Sequence, residues 1–488
     1  MINKNLNRAE LTELFSLWEK RLPVENWEVA GILLWPLIKK CIYFSLFVDS
    51  TSKKKKKENS SVLKRFTEKI QKHIKARLYL KSLRLKRVTF LFCSSYEQRI
   101  VFKGKEFNRF LEPLMDYLEA KEFNSYLLEY PFINKTKSNR PDRIIDVRKL
   151  LVLYSTSKNK DAYSNKFANL EGLNSFIEDV YKETGIDQDF LKKRILKNIL
   201  AIKSWEGVFV KIIKLTKPQF VVGLVYYSNP IYGLNLAANK LGIPSIDLQH
   251  GGLGTAHPAY NFSKVPNEGY NILPKVFWAW NDSSYKDILN WSKNTPHKVI
   301  NGGNPWIGYL SKKMAVSGHK DFSSNNKPVI LFTLQPIGDV ISSYFLEVIA
   351  KTKDRFNWWL RFHPRMTEIE KNAIVDRFKR NDSLEAIEYE YSTSSPLPVA
   401  INECDLHISL SSGSVIEAAM MNKYSLIISE TGANYYANII ADGWAESCLS
   451  ENVDVIIEKI EASLNKKSLV NKEDFVDYRR TLDALIKE

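Results

Sequence analysis

The sequence predicts an α/β protein with two successive domains, each built around a parallel sheet. Three observations support this fold class. The chain has 488 residues with 44% hydrophobic content, which is enough for two buried cores. A β-α-β pattern lies between residues 220 and 248, and a second series of alternating strands and helices begins at Pro328.

The β-α-β unit of the first domain is the clearest local pattern. Phe220–Tyr227 is a short apolar run rich in β-branched and aromatic residues, which is typical of a buried strand. A helix is predicted over Tyr232–Leu241, and Gly242 takes the position that commonly follows a helix end. Pro244–Leu248 is the next strand, and a glycine-rich loop follows it.

The remaining predicted elements extend this alternation over most of the chain. In the first half, strands are predicted at Val88–Cys93, Ser125–Glu129, Leu150–Tyr154, Val276–Trp280 and Lys298–Ile300, and residues 1–50 and 167–210 are mostly helical. In the second half, strands are predicted near Val329–Leu334, Asn357–Leu360, Asp405–Leu410 and Ser425–Ile428, with helices near Val340–Lys351, Glu368–Arg380 and Val415–Met421.

These elements divide the chain into three parts. We predict a helical, basic segment at 1–87 that belongs to the N-terminal domain, an N-terminal α/β domain at 88–315 and a C-terminal α/β domain at 316–488. Residues 317–327 resemble a linker between the two domains.

The net charge of +16 is concentrated in residues 53–87, which contain fifteen Lys or Arg and two Glu. One interpretation is a solvated charged loop followed by a helix. The functional interpretations are an anionic membrane surface or nucleic acid. The chain shows no recognisable nucleic-acid-binding module, so we expect no nucleic-acid partner.

An apolar and aromatic segment, Ala30–Val48, precedes the basic run. Pro36, Lys39 and Lys40 interrupt it, so it is poorly suited to cross a bilayer. Beside a basic run it suits the bilayer interface, and it equally suits a buried helix of the first domain. We predict that residues 30–87 dock the protein on the anionic inner face of the cytoplasmic membrane.

Cysteine usage favours the cytoplasm. Cys41, Cys93, Cys404 and Cys448 are scattered without metal-ligand spacing, as expected in a reducing compartment. We expect no metal and no other cofactor.

The most informative stretch is Ile401–Ala419, where a strand leads through a polar turn into a helix. Small residues let a ligand approach the backbone, and N–H groups at a helix start attract phosphate. An acidic residue in the first helical turn can reach sugar hydroxyls. The alternative is that the serines merely cap the helix. The candidate donor-binding residues here are Ser411, Ser412, Gly413, Ser414 and Glu417.

Two further strand ends of this domain carry polar residues, and ligands bind at strand ends in open α/β sheets. Gln335 and Asp339 follow one strand, and Arg361 and His363 follow another. Arg361 and His363 are two residues apart, so on an extended strand both side chains can contact one phosphate. Asp339 suits a nucleophile or base, or a simple acid at a helix start. For His363 the alternative is a core histidine bonded to the backbone.

The N-terminal domain offers a second set of candidates. His250 follows a strand in a glycine-rich loop, where it can act as an acid or base or bind an anion. Gly251 and Gly252 allow close backbone approach to an acceptor. Glu97 follows the strand at Val88–Cys93 and is a second candidate acid or base.

Together these motifs resemble those of bacterial GT-B glycosyltransferases of surface-polysaccharide assembly. They are most similar to the capsule and O-antigen enzymes that transfer Kdo or a related ulosonic acid from a CMP donor. The matching elements are Gln335-Pro336, His363-Pro364 and Ser411-Ser412-Gly413, and the resemblance covers mainly residues 220–440. It implies two Rossmann-like domains facing a cleft, with His363 and the serine turn on the CMP phosphate and ribose. It also implies that Asp339 is the nucleophile of a retaining enzyme.

The resemblance implies a CMP-linked nucleotide-sugar donor and a glycan or lipid-linked glycan acceptor. The pattern ending at Glu417 also resembles UDP-sugar 2-epimerases and several UDP-sugar transferases. A soluble epimerase needs no membrane docking, so the basic N-terminal segment favours a transferase. A non-catalytic nucleotide-binding protein of the same fold is a third hypothesis. The donor sugar, acceptor, linkage and stereochemistry stay open.

Overall fold

The computed structural model describes residues 6–47, 62–130, 137–156, 159–253, 257–314, 327–335, 340–381, 383–466 and 476–487. The chain forms two compact units. Unit 1 comprises residues 1–302 and 478–488, and unit 2 comprises residues 303–477. Two regions differ from the predicted domains: residues 303–315 belong to unit 2, and the C-terminal helix belongs to unit 1.

Unit 1 contains eleven strands and ten helices among the described residues. The strands are β1 Glu28–Val29, β2 Ile32–Leu33, β3 Phe90–Ser95, β4 Arg99–Phe102, β5 Lys105–Asn108, β6 Ser125–Tyr130, β7 Ile144–Asp146, β8 Phe220–Leu224, β9 Ser245–Leu248, β10 Val276–Ala279 and β11 Lys298–Asn301. The helices are α1 Arg8–Arg21, α2 Trp35–Phe47, α3 Val62–Ser82, α4 Glu112–Ala120, α5 Lys160–Ala168, α6 Leu173–Thr184, α7 Gln188–Thr216, α8 Asn229–Lys240, α9 Asp282–Ser292 and α19 Tyr478–Lys487.

Unit 2 contains six strands and nine helices among the described residues. The strands are β12 Val329–Thr333, β13 Asn357–Arg361, β14 Ile387–Glu388, β15 Leu406–Ser409, β16 Ser425–Ile427 and β17 Ala445–Ser447. The helices are α10 Pro305–Met314, α11 Ser343–Thr352, α12 Glu368–Arg380, α13 Glu390–Ser394, α14 Leu397–Glu403, α15 Ser414–Met420, α16 Glu430–Tyr435, α17 Ala437–Ala441 and α18 Val453–Leu464. Short 3₁₀ helices in the chain are Val24–Asn26, Tyr96–Gln98, Pro141–Arg143, Val147–Tyr154, Pro258–Tyr260 and Leu384–Ala386.

The central sheet of unit 1 has seven parallel strands in the order β11-β10-β9-β8-β3-β6-β7. Phe92 of β3 lies opposite Leu127 of β6 and Val222 of β8. The inner strands are buried on both faces, so they are nearly continuous apolar runs. Along the chain, β6 and β7 add to the sheet on one side of β3, and β8 to β11 add to it on the other side. The direction in which successive strands are added to the sheet therefore reverses between β3 and β8.

The sheet of unit 2 has six parallel strands in the order β14-β13-β12-β15-β16-β17. Here β13 and β14 lie on one side of β12 and β15 to β17 on the other, so the direction reverses between β12 and β15. Most of the crossover connections in both sheets contain α-helices, which is the Rossmann-like pattern. The predicted fold class, α/β with two Rossmann-like domains as in GT-B enzymes, is confirmed.

One predicted strand is wrong. Leu150–Tyr154 lies within the 3₁₀ helix Val147–Tyr154, and the sheet instead ends with β7, Ile144–Asp146. Val147 and Leu150 are the buried residues of this helix. Their three-residue spacing matches the 3₁₀ period, in which side chains at i and i+3 lie on one side.

The apolar segment Ala30–Val48 is largely part of the core of unit 1. Ile32, Trp35, Ile38 and Ile42 are fully buried. Trp35 donates a hydrogen bond from Nε1 to Glu19 (2.6 Å). The interpretation of this stretch as a bilayer-interface segment is therefore wrong for residues 32–42, and the alternative of a buried helix is correct there. None of the helices that the structure describes is both long and apolar enough to span a bilayer.

Residues 53–61, where the basic run was predicted to begin as a charged loop, and most of the predicted linker 317–327 lie outside the described residues. The C-terminal helix α19 packs on α4 of unit 1. Tyr117 donates from its hydroxyl to Asp483 Oδ2 (2.8 Å), and Tyr478 donates to the Pro113 carbonyl (3.4 Å). The four cysteines are buried free thiols.

Candidate functional site

In unit 2, the sheet direction reverses between β12 and β15, and this is where open α/β sheets bind ligands at the carboxyl ends of their strands. Gln335 follows β12, and the turn Ser411–Ser414 follows β15. His363 follows β13, which is the other neighbour of β12. The sheet order therefore brings three of the predicted strand-end motifs to one edge, around the reversal.

Gln335 and Ser411 join the two strand ends directly. The Gln335 Oε1 atom accepts hydrogen bonds from the Ser411 backbone N–H (2.8 Å) and from the Ser411 hydroxyl (3.0 Å). The Gln335 amide nitrogen has no hydrogen bond to any residue that the structure describes. As a donor group, a side-chain amide nitrogen suits an acceptor such as a phosphate oxygen.

Most backbone amides of the serine turn already have partners. The Ser412 N–H donates to Ser409 Oγ (3.1 Å), and the Ser414 N–H donates to Ser412 Oγ (3.3 Å). With the Ser411 amide on Gln335, the turn has less free N–H capacity than its sequence predicted. Because α15 has only seven residues, its dipole adds little. Binding of an anion here would therefore depend chiefly on side chains.

A buried histidine that sequence reasoning missed connects to this turn through a hydrogen-bond network. His407 is hydrogen-bonded through Nδ1 to Ser425 Oγ (2.8 Å) and through Nε2 to Thr333 Oγ1 (3.0 Å). Thr333 Oγ1 is in turn hydrogen-bonded to Ser414 Oγ (2.8 Å). Burial lowers the pKa of His407 to about 3, so its ring is neutral at pH 7. The predicted ligand residue Ser414 is thus buried in this network. The sequence signal that could have identified His407 is the presence of polar residues in a strand predicted to be buried.

His363 and Arg361 have different environments. His363 is half-buried, and its Nδ1 accepts a hydrogen bond from the Arg365 N–H (3.1 Å). In the neutral ring this leaves the proton on Nε2. Arg361 donates from Nη1 to the carbonyls of Ser392 and Ser395, the latter at 2.7 Å. These bonds hold Arg361 at the C-terminal end of α13, so positioning α13 is one of its roles.

The backbone at the start of α16 lies very close to the backbone that leads into the serine turn. A Cβ atom at Gly432 would lie 1.8 Å from the Leu410 carbonyl oxygen, so only glycine fits there. Ser429 donates to the same carbonyl (2.7 Å), and Tyr436 donates from its hydroxyl to the Ser411 carbonyl (3.2 Å). The start of α16 is thereby fixed against the turn. The sequence carries no local signal for this contact.

The other predicted residues of unit 2 are placed as follows. Glu417 lies in α15 and is 7% exposed. Gly413 precedes α15 in a right-handed helical conformation. Asp339 lies outside the described residues, so its role as nucleophile or base stays a prediction. Among the described residues, no group of three or more metal-ligating side chains is close enough to hold a metal ion.

In unit 1, the sheet direction reverses between β3 and β8, and polar residues again follow these strands. Glu97 follows β3 in the 3₁₀ turn Tyr96–Gln98 and is exposed. Tyr130, at the end of β6, bonds through its hydroxyl to the Ser228 hydroxyl beyond β8 (3.2 Å). Glu97 therefore lies at the reversal, with a carboxylate open to solvent.

His250 follows β9, the neighbour of β8. Its Nε2 faces the Tyr227 hydroxyl (3.3 Å), and its buried Nδ1 has no hydrogen-bond partner among the described residues. Burial lowers the pKa of His250 to about 4, with a smaller contribution from the charge of Arg109. The ring is therefore neutral at pH 7. It suits hydrogen bonding or proton acceptance better than donation as an acid.

Aromatic side chains surround this histidine. His257 lies near Tyr227 (ring centroids 5.5 Å apart) and Tyr260 (5.1 Å), and it stacks on Tyr43 (6.3 Å). Tyr260 donates from its hydroxyl to Oδ2 of the buried Asp247 carboxyl group (3.0 Å). Burial raises the pKa of Asp247 to about 8. Asp247 thus holds the loop that carries His257 beside His250.

Gln249 is a second positioning residue that sequence reasoning missed. Its Nε2 donates to the Gly251 carbonyl (2.9 Å) and to Ser284 Oγ (3.0 Å), and its Oε1 accepts from the Trp280 N–H (2.7 Å). These bonds fix the start of the glycine-rich loop. Neither Gly251 nor Gly252 adopts a positive φ, and a Cβ at Gly251 would meet open space. Backbone strain therefore does not explain why glycine is present at Gly251.

A buried ion cluster supports the loop region near Glu97. Arg99 donates from Nε to Glu129 Oε1 (2.8 Å) and from Nη1 to Glu112 Oε1 (3.0 Å). Burial raises the pKa of Glu129 to about 7, although the Arg99 charge opposes the shift. The cluster ties the β4–β5 hairpin to the end of β6.

The chain matches no protein-family model and no curated protein. It is similar to solved structures at low identity. The UDP-GlcNAc 2-epimerase of Neisseria meningitidis bound to UDP-GlcNAc shares 14% identity with a TM-score of 0.49, over 82% of this chain and 99% of that one. A putative UDP-N-acetylglucosamine 2-epimerase of Listeria monocytogenes shares 13% at a TM-score of 0.49, over 83% and 96%. The calicheamicin glycosyltransferase CalG4 shares 11% at a TM-score of 0.44, over 83% and 95%. The similar structures include epimerases as well as a glycosyltransferase, so these similarities do not distinguish the two activities.

Proposed function

We propose that the chain is a glycosyltransferase that uses a nucleotide-sugar donor. The observation that carries this proposal is the contact of Gln335 with Ser411 across the reversal of the unit 2 sheet, with His363 at the end of the adjacent strand. An amide donor, a hydroxyl-rich turn and an imidazole at one strand edge suit a nucleoside phosphate.

The donor proposal has two levels. The polar groups of Gln335, His363 and Ser412 suit the phosphate and ribose of any nucleotide. The choice of cytidine, with Kdo or another ulosonic acid, rests on the sequence resemblance alone. The proposed acceptor is a surface glycan or lipid-linked glycan bound by unit 1, with Glu97 and His250 as its candidate acid–base groups. The exposed carboxylate of Glu97 supports it as a base, and the low pKa of His250 limits that residue to a neutral role.

The donor is tested by thermal shift with CMP, CDP, UDP and GDP, because a specific ligand stabilises the native state by mass action. We expect CMP to raise the melting temperature most. If UDP does so and CMP does not, the ulosonic-acid donor is replaced by a UDP-sugar. If UDP-GlcNAc is then converted to its 2-epimer without any acceptor, the epimerase alternative replaces the transferase.

His363→Ala tests the phosphate contact. Losing a charge-assisted bond should cost about 1.5–3 kcal/mol, or roughly ten- to a hundredfold in nucleotide affinity by calorimetry. His73→Ala, a change in α3 of unit 1, is the matched control and should leave the affinity unchanged. Wild-type affinity in His363→Ala would return that residue to a structural role.

Asp339→Asn tests the proposed nucleophile. A group that acts mainly in the transition state lowers turnover by orders of magnitude while donor affinity changes little. An accumulated glycosyl-enzyme adduct, detected by intact mass, would support a nucleophile. Near-normal transfer would instead make Asp339 a helix-start acid and Glu97 the first candidate.

A further inference from the structure

The outer face of α3 carries an exposed apolar row. Ile70, Ile74 and Leu78 are 46%, 54% and 62% exposed. They recur every four residues, so they lie along a single face of the helix. Large apolar side chains are usually scattered singly over a protein surface, and an aligned row of three marks an interaction site.

Basic side chains border this row. Lys81 lies almost in line with it, Lys75 and Arg77 lie on its two sides, and all three are exposed. Residues 70–87 contain seven Lys or Arg and no Asp or Glu. On the neighbouring 3₁₀ helix Val147–Tyr154, Arg148 and Lys149 are exposed as well.

The opposite face of α3 attaches the helix to unit 1. Ala76 is buried, and Tyr79 and Leu80 pack against the unit 1 core. The Tyr79 hydroxyl accepts a hydrogen bond from the Asp146 N–H (2.9 Å). The helix is therefore anchored on its inner side, and the apolar row does not face the core.

We propose that this face, formed by Ile70, Ile74, Leu78, Lys75, Arg77 and Lys81, docks unit 1 on an anionic lipid bilayer. The occupant follows from the charge pattern. An apolar row bordered by lysine and arginine matches a surface in which acyl chains lie beneath anionic headgroups. A protein partner would have to combine an apolar groove with acidic rims on both sides.

This surface differs from the one that the sequence indicated. Much of the apolar segment before the basic run is core, so it contributes no insertion there. The docking face lies instead on the basic helix α3, where apolar and basic side chains lie next to each other along one side. It stands independently of the transferase activity.

The experiment is sedimentation of the full-length protein with phosphatidylcholine vesicles with and without phosphatidylglycerol. We expect binding to the anionic vesicles that weakens as salt rises, since the Debye length is about 10 Å at 0.1 M. Ile74→Ser with Leu78→Ser should reduce partitioning by roughly tenfold or more. Ile369→Ser is the matched control, because Ile369 is 82% exposed on α12 of unit 2. It should bind like wild type.

The charges are tested by Lys75→Gln with Lys81→Gln, for which we expect roughly fivefold weaker binding per lysine. Lys211→Gln with Lys214→Gln removes the same charge from exposed positions of α7 and should have little effect. Thermal unfolding of each variant checks that unit 1 remains folded.

Three results would overturn the proposal. They are no binding to anionic vesicles at low salt, equal binding to neutral vesicles, or equal losses in the α3 and control variants. Self-association that Ile74→Ser with Leu78→Ser abolishes, without vesicle binding by wild type, would assign the face to a second copy of the chain.

Discussion

Substituting Gln335 by glutamate separates its positioning contact from ligand binding. Both hydrogen bonds from Ser411 end on Oε1, at 2.8 and 3.0 Å. A glutamate carboxylate accepts both, so the turn keeps its position. The substitution removes the amide donor and adds a negative charge at the strand edge where we place the phosphate.

The expected loss can be worked from Coulomb's law. A carboxylate about 6 Å from one phosphate charge, at an effective dielectric constant of about 20, costs about 3 kcal/mol. Screening by salt reduces this cost to about 1–2.5 kcal/mol, which is roughly five- to seventyfold in affinity. Gln335→Ala removes both bonds instead, so it should lower the stability of unit 2 by about 2 kcal/mol.

The assay is calorimetry with CMP and UDP, together with thermal unfolding of each variant. Asn465→Asp is the charge control. Asn465 follows α18, and its neighbour Lys466 contacts Tyr424 immediately before β16, at the amino ends of the strands. We expect Asn465→Asp to bind nucleotide like wild type. Wild-type affinity of Gln335→Glu for both nucleotides would refute a phosphate site at this edge.

Two further predictions concern stability. Gly432→Ala should destabilise unit 2 by about 2–4 kcal/mol in chemical unfolding, because the added Cβ would overlap the Leu410 carbonyl oxygen. Gly251→Ala is the control and should change stability by less than about 0.5 kcal/mol, and equal effects of the two substitutions would contradict the close approach at Gly432. The pKa of Asp247 is raised from 3.8 to about 8 in the folded protein. Between these two pH values the native state keeps the proton and the unfolded state loses it. The free energy of unfolding of unit 1 should therefore fall as pH rises through this range, by at most about 1.4 kcal/mol per pH unit. Asp247→Asn should flatten this slope in unfolding curves from pH 5 to 8, and an unchanged slope would assign the dependence to other groups.

Local patterns predicted many of the strands well. The structure places β12, β13, β15 and β16 within one or two residues of their predicted positions, and the first three of these apolar runs end in a polar residue. The run Leu150–Tyr154 failed because a short apolar stretch fits a 3₁₀ helix as well as a strand. Such a choice depends on tertiary packing.

The pairs within the candidate site could not be predicted in the same way. The Gln335–Ser411 contact exists because β15 lies beside β12, and strand order is not written in any local pattern. The His407 network likewise requires β12, β15 and β16 to be neighbours. The exposed row on α3 depends on which helix face unit 1 covers. Sequence patterns thus identified the strand ends, and the topology decided which ends meet.

The return of α19 to unit 1 has a consequence for how the chain folds during synthesis. Residues 303–477 are inserted into unit 1, whose last helix is contributed by residues 478–487. Unit 2 is contiguous and can fold while the chain is still being made, whereas α4 waits for its partner until α19 has left the ribosome. Deleting residues 478–487 should therefore lower the stability of unit 1 and leave that of unit 2 unchanged.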